Sequence, residues 1–147
     1  MGSRIKPRTV LLTLLIACVV STAIHYTDNT LNIDQYPKAG PVNATVVALT
    51  WLMLTPAAIL GYRLYADAKM LPAYGVLAVY AFVGLSTPAH YTSSSFEDFA
   101  AWRNASILTD GVTGAALLAF VPWSILVARE WSHTASPPRP SFGSPAG

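Results

Sequence analysis

The stretch Ser21-Thr22-Ala23-Ile24-His25-Tyr26-Thr27 returns further along the chain as Ser86-Thr87-Pro88-Ala89-His90-Tyr91-Thr92, with five of seven positions identical. Each copy closes a long apolar run. Each is followed by a polar segment, then by Asn43-Ala44-Thr45 or Asn104-Ala105-Ser106, and then by a second apolar run. That shared order reads as two related helical hairpins, each delivering one histidine to the same depth.

Working outward, composition places the chain in a membrane. Of its 147 residues, 53% are hydrophobic and 11% charged, where a soluble domain carries about 25% charged residues. The mean hydropathy is +0.44. Such a chain lacks the polar surface to cover a water-soluble globule. A formal net charge of +2 is too small to imply a nucleic-acid partner. The single cysteine, Cys18, excludes an internal disulfide and any cysteine-built zinc cluster.

The apolar runs predict four transmembrane helices, over about residues 9–26, 44–62, 71–90 and 105–128. Residues 1–8 form a short basic start, residues 9–130 the four-helix membrane domain, and residues 131–147 a disordered tail rich in Pro, Ser and Gly. Asp28 to Pro41 holds turn formers and reads as a loop. Asn43 and Asn104 are placed to cap the second and fourth helices. Thr55-Pro56 predicts a kink in the second helix, because proline removes an amide hydrogen and crowds the turn before it. Ala57 with Gly61, and Gly111 with Gly114, Ala115 and Ala116, offer small faces for close helix packing.

The start of the chain has rival readings. A basic start, an apolar core and Ser21-Thr22-Ala23 resemble a cleaved secretory signal, and Leu15-Ile16-Ala17-Cys18 resembles a bacterial lipobox with Cys18 acylated. Because the segment matches the end of the third run, which lies too deep to be a signal, a retained helix is the expectation.

Basic residues set the orientation. With both termini cytoplasmic, Arg4, Lys6, Arg8, Arg63, Lys69, Arg129 and Arg139 fall inside and only Lys38 and Arg103 outside. The expected fold is therefore an all-α membrane protein, an antiparallel bundle of two repeated hairpins. In general look the chain resembles small four-helix inner-membrane proteins of bacteria, with no motif specific enough to bring a family's function with it.

In this orientation the first and third helices both run outward, so His25 and His90 end at one outer level. Helical spacing puts Ser21, Thr22, Ser86 and Thr87 on the faces of their histidines. If the first helix continues a further turn, Asp28 and Asn29 join its stripe. Asp110, the one carboxylate inside an apolar run, enters from the same side about 9 Å in.

Three chemistries remain open for this cluster. One is a structural lock, with the histidines paired to Asp28 and Asp110. The second is a cofactor site: His25 and His90 as opposed ligands to haem, or His25, Asp28, His90 and Asp110 around one divalent transition-metal ion. The third is proton-coupled transport, which four helices could support only as a homo-oligomer. The partners implied are the lipid bilayer and either a larger membrane complex or further copies of the chain. A structural or assembly subunit docking through the small face of the fourth helix is the non-enzymatic rival. No phosphate-binding glycine loop, His-Glu-x-x-His, Cys-x-x-Cys or Gly-x-Ser-x-Gly motif is present, so nucleotide use, proteolysis and acyl transfer have no support.

Overall fold

The structure is a computed structural model that describes residues 6–36 and 42–129. Four helices make up the fold: α1 (Pro7–Leu31), α2 (Ala44–Ala66), α3 (Met70–Leu85) and α4 (Ala101–Leu126). Short 3-10 turns occupy Ile33–Gln35, Thr87–Thr92 and Phe96–Asp98, and no strand occurs among the described residues. Counting α3 with its 3-10 continuation to Thr92, four segments are long and apolar enough to cross a membrane. The basic start and the tail fall largely outside the described residues.

The helices form a closed ring in which each packs on two neighbours, α1 on α2 and α4, and α3 on α2 and α4. Large apolar side chains face outward: Ile16, Met53, Leu71 and Leu126 are 57%, 75%, 71% and 72% exposed. In water such a surface would aggregate, whereas in lipid it is the expected exterior. The protein has the surface of an integral membrane protein.

Because lipid tails are as apolar as leucine, close packing and polar contacts hold such helices together. Glycines provide the first. A Cβ at Gly114 would lie 2.5 Å from the Leu85 amide nitrogen and one at Gly84 2.8 Å from the Asp110 carbonyl oxygen, so α3 and α4 touch backbone to backbone. Gly61 similarly receives Leu77. Of the small face of α4 expected to dock a partner, Gly111 and Gly114 pack internally, against Pro88 and α3, while Ala115 is exposed.

Several boundaries differ from expectation. The loop predicted from Asp28 begins as helix, since α1 runs on to Leu31. Its buried residues, Leu11, Leu15, Cys18, Thr22, His25 and Asn29, recur every three or four positions as one inward stripe. Pro56 lies inside α2, which continues to Ala66. Asn43 caps α2 as expected, its Oδ1 accepting from the Val46 amide at 3.1 Å. Asn104 does not cap α4. Ala100 holds that position, and Asn104, buried one turn inside, donates through Nδ2 to the carbonyls of Phe96 and Phe99. A side chain able to tie down the preceding loop makes better use of its amide than one spent on a helix end already inside the fold.

Candidate functional site

His25 lies three-quarters of the way along α1, on its inward stripe, and is 2% exposed. His90 lies in the 3-10 turn beyond α3 and is half-buried. Their rings meet, with centroids 5.4 Å apart and planes tilted by 48°. The Tyr36 ring closes a triangle with them, 5.9 Å from His25 and 5.1 Å from His90. On the far side, His25 Nδ1 is 3.5 Å from Ser106 Oγ, the outer limit of a hydrogen bond.

Two adjoining clefts, of about 270 and 340 Å3, open beside the pair. Asn29, Ser86, Thr87 and His90 line both, and His25 lines the first. Asn29 is only 8% exposed, yet its Oδ1 accepts no hydrogen bond. An unpaired buried carbonyl is costly, by roughly 1–3 kcal/mol, which makes this edge of the cleft receptive to a donor or a cation.

The carboxylates expected to attend the histidines have other partners. Asp28 forms a buried ion pair with Arg103, Nε to Oδ2 at 2.8 Å, with both side chains about 5% exposed. The same carboxylate accepts from Tyr36 Oη and, at 2.6 Å, from Asn32 Nδ2. Arg103 also donates to Gln35 Oε1 at 3.0 Å and lies over the rings of Tyr36 and Trp102, at 5.0 and 5.1 Å. Burial, with the Asp28 carboxylate alongside, pushes the Tyr36 phenol above its ordinary pKa. Asp110 is fully buried and accepts from Thr87 Oγ1 at 3.2 Å through Oδ2.

The structural pairing of histidine with aspartate is therefore corrected: arginine, not imidazole, neutralises Asp28, because its planar fork satisfies a buried carboxylate more fully. Among the described residues no three His, Cys, Asp or Glu side chains form a group that could hold a metal ion. What comes together is the pair His25 and His90, with Asp28 joined to them through Tyr36, while Asp110 bonds to Thr87.

Asn29 joins the His25 stripe as the spacing predicts, whereas Arg103, Tyr36 and Ser106 lie outside the cluster expected from sequence. Arg103 carried a signal, being one of two basic residues on the side rich in acids. Tyr36 and Ser106 carried none, since aromatic and hydroxyl residues at helix ends are ordinary.

No protein-family model matches the chain, and no curated protein or solved structure is detectably similar to it. The functional reading rests on the residues alone.

Proposed function

We propose that this is a small plasma-membrane protein, both termini cytoplasmic, that holds a divalent transition-metal ion at its outer face between His25 and His90. The observation carrying it is the contact of two imidazoles, brought from separate helices to one cleft edged by an unpaired carbonyl. Imidazole suits Zn, Cu or Fe, and two imidazoles with Asn29 Oδ1 leave positions open for water or an exchanging ligand. That openness fits an accessory role in metal handling or redox better than a closed structural site. Asp28 and Asp110 are set aside as ligands, because Arg103 engages the first and Thr87 the second.

Haem is disfavoured by the same contact. Rings 5.4 Å apart and already touching leave no slot for a macrocycle unless the turn at Thr87–Thr92 moves away from α1. The antiparallel arrangement is supported by partners near opposite helix ends: Asp28 of α1 meets Arg103 of α4, and Arg8 of α1 donates to the Tyr62 hydroxyl of α2 at 3.0 Å.

A second reading has its own observation. The Asp28–Arg103–Tyr36 network ties α1, its following turn and α4 together, as a structural or assembly subunit requires.

Metal analysis and an absorption spectrum of the purified chain decide between them. The expected result is about one equivalent of Zn, Cu or Fe without a Soret band, lost from His25→Ala and from His90→Ala while helix content and thermal midpoint persist. A metal-free protein that takes up none of these ions on titration would leave the structural reading standing.

A further inference from the structure

Asp110 takes no part in the histidine cleft or the Arg103 pair, and its surroundings are incomplete. It is fully buried in α4. Oδ2 accepts from Thr87, and the hydroxyl of Ser21, 7% exposed, faces the same carboxylate, but neither it nor Oδ1 makes a contact as short as a regular hydrogen bond. An ionised carboxylate within a lipid-surrounded bundle requires a compensating positive charge, because desolvation otherwise costs several kcal/mol. The buried arginine, Arg103, is engaged by Asp28 and Gln35. The titratable groups facing Asp110 are Cys18, Tyr26 and Tyr80, none of which carries positive charge.

The backbone at the same place is broken. Pro88 lacks the amide that an unbroken α3 would direct at the Gly84 carbonyl, and α3 gives way to a 3-10 turn at Thr87, the residue bonded to Asp110. Gly84 packs directly on the Asp110 peptide. Interrupted helices beside a buried carboxylate, with hydroxyls from neighbouring helices, supply the hard oxygen donors that bind alkali cations in membrane proteins. One carboxylate balances one positive charge, which selects a monovalent over a divalent ion.

We infer that Asp110, Ser21 and Thr87 form a buried binding site for one sodium ion at the break after α3. The two unpaired oxygens, Asp110 Oδ1 and Ser21 Oγ, are its first ligands, and Thr87 positions the carboxylate through Oδ2. The site is separate from the histidine pair, although Thr87 also lines the cleft beside that pair.

The test is the thermal midpoint of the purified full-length chain in detergent at mildly alkaline pH. NaCl is titrated against choline chloride at constant total chloride. The midpoint should rise with the logarithm of sodium concentration, as for any ligand that binds only the folded state. Asp110→Asn should remove the sodium response, and Ser21→Ala should move it to at least about tenfold higher sodium. The double variant His25→Ala/His90→Ala should keep it, so that loss of the transition-metal reading leaves this one intact. Equal midpoints in sodium and choline would overturn the assignment, as would an Asp110→Asn variant that still responds. A midpoint raised by acidification alone, indifferent to sodium, would assign a proton instead and equally overturn it. Should Asp110→Asn fail to fold, equilibrium dialysis of radioactive sodium against the wild-type chain decides: one ion retained supports the site and none refutes it.

Discussion

The two heptapeptides share Ser, Thr, His, Tyr and Thr, yet the fold treats them differently. In the first copy the third residue is Ala23, and the helix runs through His25 to Leu31, presenting Asp28 and Asn29 one turn later on the same inward stripe. In the second the third residue is Pro88, the α-helix stops at Leu85, and a 3-10 turn carries His90 with Ser93 and Ser94 behind it. Equivalent threonines diverge with the backbone. Thr22 accepts from Trp51 Nε1 at 3.1 Å and so joins α1 to α2, whereas Thr87 donates to Asp110 and joins the turn to α4. Identical side chains on different backbones reach different partners. Pairing one buried and one half-buried histidine across the bundle makes an edge that a symmetric pair of helices would not offer.

The largest expected effect comes from removing what only the first copy has. Asp28→Ser gives α1 the residue found three positions after His90, Ser93, and it leaves the Arg103 guanidinium buried without its carboxylate. Loss of one partner of such a pair costs about 3–5 kcal/mol, read as a lowered unfolding midpoint in detergent. A change below about 1 kcal/mol would mean that the pair is solvated and that the two copies are energetically alike.

Tyr36→Phe removes a single charge-assisted hydrogen bond to the same carboxylate and should cost about 1.5–3 kcal/mol. It also has a pH signature. The Tyr36 phenol is held above its ordinary value of about 10 in the folded protein, so its contribution is complete below that pH and declines as pH rises toward the folded value. The wild-type chain should therefore lose stability on the alkaline side, and Tyr36→Phe should lose less of it over the same range.

Smaller again are the two threonine variants. Thr22→Val strands the indole N–H of Trp51 and should cost about 1–2 kcal/mol, with a change in tryptophan emission. Thr87→Val should leave tryptophan emission unchanged and shift the sodium response instead. Matching phenotypes would erase the distinction drawn between the copies.

Pro88→Ala restores the first copy's residue to the second and should change stability least, by about 1 kcal/mol or less, since the regained helical amide and the greater freedom of the unfolded chain offset each other. Its readout is affinity. Extending α3 swings His90 away from His25, and divalent-metal binding should weaken at least about tenfold.

The four helices were legible because lipid imposes one demand, an apolar run of sufficient length, that composition alone satisfies. The inward stripe of α1 was legible for the same kind of reason, because its spacing of three and four survives any packing partner. The meeting of His25 and His90 also followed from spacing, once both were placed at one level. Asn104 misled because capping residues and loop anchors look alike until the loop is in place. The partner of Asp28 was hidden because Arg103 lies 75 residues away, and only the packing of α1 on α4 brings it to 2.8 Å.

The sequence by itself determined a membrane chain of four apolar helices and a histidine motif that occurs twice, because hydropathy and helical period are local properties. Which charges neutralise one another, which histidine is fully buried, and where a carboxylate is left incomplete were decided by tertiary structure. Those depend on which side chains a closed ring of helices brings within hydrogen-bond reach, a question of a few ångströms between residues that the chain keeps far apart.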